Sequence, residues 1–431
     1  MTERKTDRPR RHIAVIGAGI SGMGAAYRLA ETDRVTLFEA EPRLGGHART
    51  RMAGPDGDEP VDTGFIVFNY ANYPHLTALF EELGVPVALS DMSFGASIRG
   101  GWLEYGLRDL RAVFAQRRNL ARPRFLRMIR DILHFNRTAL DASGEDGLTV
   151  GGLLDKLGTG PWFRDHYLAP LSGAIWSTPC EKILDFPAHA MMTFFENHAL
   201  LGVTGQHQWY TVSGGSREYV ARLGRAMAER GVVMRLGCPV DAVRRTAAGP
   251  EIKVEGADWQ DFDAVVLATH SDDTHRLLTD PSPDEDAALG NFAYQPNRVV
   301  LHSDASVMPR RRGAWASWVY TEEATRRSDR IDLTYWMNSL QPWLKQPVFV
   351  TLNTDRPIRE ELIWDEVTLR HPVYDLAALE AQKLARRING QRNTWFCGAW
   401  MRDGFHEDGL ASAMEVVAGL TAAGQGAIAA E

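Results

Sequence analysis

The chain has 431 residues, 44% hydrophobic and 24% charged, with a formal net charge of −7. That balance fits a globular protein of more than one domain, excludes a disordered or collagen-like chain, and argues against a nucleic-acid binder, which needs a basic footprint. Apolar stretches such as Ala264–Thr269 and Val416–Ala423 are far shorter than the roughly 20 residues that span a bilayer. Met1–His12 lacks the apolar core and cleavage site of a secretory signal. Cys180, Cys238 and Cys397 fall in no disulfide or metal-ligand spacing. A cytoplasmic protein without a metal site is expected.

In chain order, His12–Ile16 is a β-branched, apolar run that predicts a buried strand, ended by the turn Gly17–Gly22. Ile20–Ala30 has helical composition and Val35–Glu39 supplies a second strand, so the N-terminus predicts a βαβ unit. Residues 72–83 predict a helix, and 84–106 predict strands punctuated by Gly95, Gly100 and Gly101. Between Leu107 and Arg137, nine arginines face only Asp109 and Asp131, a local charge of +7. Leu126, Ile129, Ile132, Leu133 and Phe135 have the spacing of an amphipathic helix, or of two helices broken at Pro123. Arginines beside an apolar face suit a helix lying on an anionic membrane surface; a solvated face is the alternative.

Residues 148–210 are dense in Trp, Phe, His and Pro and predict a cap, where Trp176, Phe194, Phe195, His198, Trp209 and Tyr210 either line an apolar tunnel or form plain core. The α/β pattern then returns. A helix is expected over Ser213–Arg230, strands at Val232–Leu236 and Ala264–Ala268, and a hairpin-like pair at Val240–Arg245 and Ile252–Val254. Aromatic-rich strands follow at Arg298–His302, Trp315–Tyr320, Leu333–Met337 and Val348–Leu352. Thr394–Cys397 reads as a last strand, leading through a glycine loop to a helix over Gly409–Ile428.

Gly17, Gly19 and Gly22 form GxGxxG at the strand-to-helix turn, and Glu39 closes the second strand 20 residues beyond Gly19. The first glycine makes the turn, the second lets backbone approach a pyrophosphate, and the third permits close helix packing; the acid accepts from ribose hydroxyls. A dinucleotide site follows.

Downstream, "EPRLGGHART" with Arg43, Gly45, Gly46 and Arg49 resembles the GG motif of the flavin-containing amine oxidase and phytoene desaturase superfamily. "VDTG" (Asp62, Gly64), "VSGGS" (Val212–Ser216), "LGCPVDAV" around Val240, "AVVLATH" ending at His270, and "FCGAW" before "GFHEDGLASA" resemble it in the same order. The resemblance implies non-covalent FAD. It puts Arg43 and Arg49 at the phosphate and ribityl region, Val240 at the adenine, Gly398 and Asp403 along the pyrophosphate and ribityl chain, and Gly409 and Leu410 near the pyrimidine edge. It implies an α/β fold: a Rossmann-like FAD-binding domain (1–84, 211–285, 390–431) with an interleaved α+β substrate domain (85–210, 286–389). No second GxGxxG with a following strand and acid is present, so the substrate itself is expected to reduce the flavin and oxygen, a quinone or another carrier to reoxidise it.

Amine oxidases of the superfamily commonly place a lysine near flavin N5, yet none of the six lysines falls in the strand Arg298–Asp304 where it is expected. That strand offers His302, and the C-terminal motif offers His406 and Glu407, as candidate bases for an activated C–H proton. The chain is similar to FAD proteins encoded beside cyclopropane fatty acid synthases, which implies desaturation of methyl-branched unsaturated acyl chains in phospholipids. An amine or polyamine oxidase, a redox-neutral polyene isomerase and a flavin-binding lipid carrier stand as alternatives. The expected partner is a small-molecule or lipid substrate.

Overall fold

A computed structural model describes residues 10–176, 178–202, 205–323 and 330–429. One layer is a five-stranded parallel sheet in the order Val233–Arg235, β2 (Arg34–Phe38), β1 (His12–Ile16), Ala264–Leu267, Thr394–Phe396. Both faces of this sheet are covered, so Ile13 to Ile16 are all buried, as an unbroken apolar run requires. Helix α1 (Ile20–Leu29) connects β1 to β2 and buries nine of its ten residues, which makes it a core helix. Its small residues allow that: a Cβ on Gly24 would lie 2.4 Å from Leu410 Cδ1 in the C-terminal helix (His406–Ala429). Three distant stretches of chain thus supply strands to one sheet.

The second layer is a seven-stranded mixed sheet, ordered Ile363–Val373, Ala293–His302, Phe349–Leu352, Leu333–Trp336, Trp318–Thr321, Phe94–Ile98, Leu103–Gly106. Trp318–Thr321 pairs parallel with Phe94–Ile98 and the other neighbours pair antiparallel. A small sheet joins Val67–Phe68 and Val87–Ser90 to Trp209–Val212, tying the end of the aromatic stretch to the first quarter of the chain.

Two sequence expectations need correction. The arginine-rich segment divides at Pro123: short helical turns at Leu110–Val113 and Arg117–Ala121 precede it, and one long helix, Pro123–Ala142, starts with the proline in its first turn, where the missing N–H costs no hydrogen bond. Its buried apolar stripe is Phe125, Met128, Ile132, Phe135 and Ala139; Ile132 and Phe135 are as expected, whereas Leu126 (44% exposed) and Leu133 (37%) face outward. The C-terminal helix starts at His406, not Gly409, which places His406, Glu407 and Gly409 inside its first turn. Among the described residues no helix is long and apolar enough to cross a membrane.

Candidate cofactor and active site

The glycine turn separates into packing and ligand positions. Gly17 adopts φ +99°, donates its N–H to Phe38 O at 2.8 Å, and leaves no room for a Cβ, which would meet Ala268 O at 2.8 Å. A Cβ on Gly22 would lie 1.8 Å from Gly17 O, so α1 sits directly on the turn. Gly19 is different. It is the N-cap of α1, no side chain caps the helix there, and no atom lies within 4 Å of an added Cβ. Uncapped N–H groups and the positive end of the helix dipole therefore open into space, the donor set a diphosphate requires.

Glu39 is held at the end of β2: Oε2 accepts the Ala18 N–H at 2.6 Å and Oε1 the Glu41 N–H at 2.9 Å. Cys238 donates its N–H to Glu39 O at 2.8 Å, so the loop leading to Val240, the first residue of its strand, lies against the ribose acid. The GG loop closes the other side. Gly45 donates to Ala18 O at 2.8 Å, and a Cβ on Gly46 would come within 3.0 Å of Gly19 Cα. Two glycine loops thus meet backbone to backbone, a cradle that larger residues would fill.

The arginines are engaged with protein groups. Arg43 donates to Gly46 O at 2.9 Å and pairs with Glu41 at 2.8 Å, bracing the loop. Arg49 is buried and bidentate on Asp365, at 2.5 and 3.1 Å, with Thr63 Oγ1 at 3.0 Å. It links the GG segment to the Ile363–Val373 strand. Backbone donors at the glycine turn remain for the phosphates.

The C-terminal motif packs onto the same cradle. Gly398 donates its N–H to Ser412 Oγ at 2.9 Å, and a Cβ there would strike Trp400 Nε1 at 2.4 Å. Gly409 faces α1, where a Cβ would lie 2.7 Å from Ser21 Oγ. Leu410 is buried against Gly24, in the helix–helix contact. Asp403 is held above the usual carboxylate range by burial. Asp408 accepts the Phe405 N–H at 2.8 Å, and burial together with Asp403 pushes its carboxyl up to about 7.

The three candidate bases lie in different settings. His302 is fully buried on its strand; Nε2 meets Thr351 Oγ1 at 2.8 Å and Nδ1 accepts the Asp304 N–H at 3.1 Å, so both ring nitrogens are used. Glu407 accepts the N–H groups of His75 and Leu76, each at 2.9 Å, and so caps helix α2 (Pro74–Glu82) from across the structure. His406 stacks on Phe65 at 3.9 Å, its Nε2 lies 2.6 Å from Tyr219 Oη, and burial lowers its pKa to about 3.

A histidine cluster escaped the sequence reading. His47, directly after Gly46, has its ring 5.6 Å from His270 and 5.8 Å from His371, and His270 stacks on Tyr294 at 4.5 Å. Burial is the main cause that lowers His47 and drives His270 and His371 to about 3, so the cluster is neutral. His47 hydrogen-bonds the Arg370 backbone, while its Nε2 is buried without a partner. The signal was local, a histidine inside the GG motif; its partners, a helix N-cap (His270) and a strand residue (His371), are brought to it only by the fold. His270, Asp272 and Asp273 also lie within reach of one cation, but Arg370 and Arg276 already pair with both acids.

The aromatic stretch meets this region. Phe194 stacks on Phe405 at 5.0 Å and on His198 at 3.9 Å, and packs against Trp176 at 4.9 Å. All five described lysines, Lys156, Lys182, Lys253, Lys345 and Lys383, are exposed.

The family model of flavin-containing amine oxidoreductases matches residues 20–356, most of the chain. A coproporphyrinogen III oxidase of Mycobacterium tuberculosis is 40% identical over 79 residues, a match covering 17% of this chain and 17% of that protein. Among solved structures, a double mutant of putrescine oxidase superposes with a TM-score of 0.68 at 16% identity, covering 96% of this chain and 99% of the other. A conjugated-linoleic-acid-producing fatty acid isomerase from P. acnes gives 0.65 at 14% identity, covering 96% and 99%; likenesses at this identity speak to fold alone. The glycine cradle fits FAD, and the chain belongs to the flavin-containing amine oxidoreductase family as an FAD-dependent oxidoreductase.

Proposed function

We propose that this oxidoreductase is a desaturase of methyl-branched unsaturated fatty acyl chains carried in phospholipids. The observation that carries the reading is the aromatic surface where the C-terminal motif meets the cap, beside neutral histidines and arginines that are already paired, Arg370 with Asp272 and Asp273 and Arg402 with Glu415. His47, His270, His371 and His406 are neutral, Phe65, Phe194 and Phe405 are stacked there, and every described lysine is exposed. Such a lining suits a hydrocarbon better than an ammonium group, whose desolvation is costly. The FAD, when bound, supplies the acceptor, N5, for the hydride that leaves the substrate. His47 supplies the proton acceptor: burial keeps its imidazole neutral, one ring hydrogen bond goes to the Arg370 backbone, and Nε2 has no partner. A fatty acid isomerase shares the fold, which makes an acyl substrate reasonable for this architecture without assigning one.

Presentation at an anionic membrane surface through residues 107–137 belongs to the same proposal. Leu110, Leu120 and Leu126 are 77%, 58% and 44% exposed among the arginines, the pairing of apolar and cationic groups that interfacial binding uses. The deciding experiment mixes oxidised holoenzyme anaerobically with phospholipids bearing methyl-branched monounsaturated chains, and separately with putrescine. Bleaching of the flavin band by the lipid alone, with a diene product, is expected. Bleaching by the amine alone would overturn the reading.

A further inference from the structure

Away from the glycine cradle, the turn between the strands Phe94–Ile98 and Leu103–Gly106 forms the floor of a basic pocket of about 560 Å³, lined by Arg99, Gly100, Gly101, Trp102, Arg118, Arg310 and Arg311. Four arginines and no carboxylate line it. Three of them come from places far apart in sequence: Arg118 from the +7 segment, and Arg310 and Arg311 from a run of three arginines ending at Arg312. Buried Glu104 draws that run in, accepting the Arg310 N–H and an Arg311 guanidinium N–H, each at 2.8 Å, while itself fully buried. One carboxylate therefore offsets one arginine from below.

The remaining cations have weak local compensation. Among the described residues the Arg310 side chain has no hydrogen bond or ion pair, and Arg118 donates only to the Trp102 carbonyl. Arg99 lies 3.6 Å from Glu322 and is 59% exposed. Arg99, Gly100 and Gly101 all have positive φ (48°, 62° and 89°), so the backbone bends around the pocket at a conformational cost for Arg99. Holding unneutralised guanidiniums together opposes their mutual repulsion, and a bound anion relieves it. Beyond Arg99 and Trp102 the pocket continues into a second cleft of about 540 Å³ whose wall is Trp102, Pro161 and Trp162, with Arg124 and Arg127 balanced there by Asp131, Asp165 and Glu322. The two indoles are in edge contact at 5.3 Å. A cationic cup beside an aromatic wall matches a charged head attached to an apolar body.

We propose that this pocket is a phosphate-ester site, in which the Arg118 and Arg310 guanidiniums grip the phosphate oxygens and the Trp102–Trp162 cleft takes the group esterified to it. The chemistry is shared by a phospholipid headgroup and by a soluble phosphate ester. The site asks only for binding and touches none of the residues of the cofactor cradle; Arg118 also lies in the 107–137 segment of the membrane reading, so a phosphate titration, which contains no membrane, is what separates the two.

The test uses FAD-loaded protein, so that the diphosphate cradle is filled, and compares wild type with the Arg118→Gln/Arg310→Gln double variant. Both side chains are exposed, and an unchanged flavin spectrum and melting temperature in chloride confirm that the variant is folded. In one arm inorganic phosphate is titrated against chloride at equal ionic strength while melting is followed. In the other, phosphatidylglycerol and phosphatidylcholine vesicles are sedimented with the protein. A melting rise specific to phosphate and lost in the variant supports a soluble ester. Selective capture by phosphatidylglycerol, falling about thirty-fold in the variant for two arginines removed, supports a headgroup. Wild type that responds like the double variant in both arms overturns the proposal.

Discussion

Asp62 receives Ser216 three times: both carboxylate oxygens accept its backbone N–H at 2.9 Å, and Oδ1 accepts its hydroxyl at 2.6 Å. This joins the VDTG segment to the VSGGS turn 154 residues later. Thr50 Oγ1 at 2.6 Å and Gln341 Nε2 at 2.7 Å complete the shell. Burial still outweighs these bonds and holds the Asp62 carboxyl above its ordinary value. Two motifs that read as separate signals are therefore one polar knot inside the fold.

Removing the knot's centre leaves several buried donors without an acceptor. Asp62→Ala is expected to lower unfolding stability by about 3 kcal/mol, the cost of orphaning buried donors. Urea denaturation followed by tryptophan fluorescence measures it; a loss below about 1 kcal/mol would show that water replaces the carboxylate and that the knot is dispensable.

The glycines of the turn separate ligand binding from folding. Gly19→Ala meets no atom within 4 Å and has an ordinary φ of −72°, so the protein should fold with a near-normal melting temperature yet retain little FAD. Gly22→Ala puts a methyl 1.8 Å from Gly17 O and should cost stability whether or not FAD is present. Purification yield, melting temperature and the flavin-to-protein ratio distinguish the two. A yellow Gly19→Ala protein would show that the open space is not the pyrophosphate path.

What the sequence revealed and what it hid divide along a physical line. The βαβ unit was legible because β1, the turn and α1 are contiguous and each residue type has one mechanical job. Most strand positions of the second sheet were legible too, since β-branched and aromatic runs bounded by turns report local structure; the long edge strand Ile363–Val373, rich in charged residues, was not. Its order was not, because strands as distant as Phe94–Ile98 and Trp318–Thr321 pair through the fold. The Arg49 pairing was hidden for the same reason: its partner Asp365 lies 316 residues away. His47 was visible as a residue, but its neighbours arrive from elsewhere, His270 from the N-cap of the helix Ser271–Leu277 and His371 from the Ile363–Val373 strand. The arginine helix was misread at Leu126 and Leu133, which compete with Phe125 and Met128 for the buried face, and periodicity alone does not rank them.

Glu407 illustrates how a plausible base acquires a structural role. Its two oxygens cap the first turn of α2, where a carboxylate gains from both hydrogen bonds and the helix dipole. Glu407→Ala should cost about 1–2 kcal/mol. Under single-turnover conditions the reduction of bound flavin by substrate should stay within a small factor of wild type. Loss of a general base instead slows that step by about 10²–10⁴-fold, so stopped-flow traces at saturating substrate decide between the roles. His47→Gln is the matching positive case and should show the large loss.

Asp408 gives the fold a dependence on pH of unusual sign for a carboxylate. Burial and the neighbouring Asp403 raise it from 3.8 to about 7, so between those values the folded protein holds a proton that the unfolded chain has released. Stability from this group is complete below pH ~4 and is lost as pH rises through about 7. Asp403 and Glu407 are also raised, by burial first, and add to the same slope. The slope is at most about 1.4 kcal/mol per pH unit for each group. Asp408→Asn cannot ionise, and its side-chain oxygen can still accept the Phe405 N–H, so it should stabilise the holoenzyme most at pH 8 and progressively less as pH falls toward ~4. Melting temperatures of both proteins across pH 4.5–8.5 test this; parallel curves would mean that Asp408 is ionised in the folded state throughout, and that the first turn of the C-terminal helix, with its dipole, supports the charge that burial opposes.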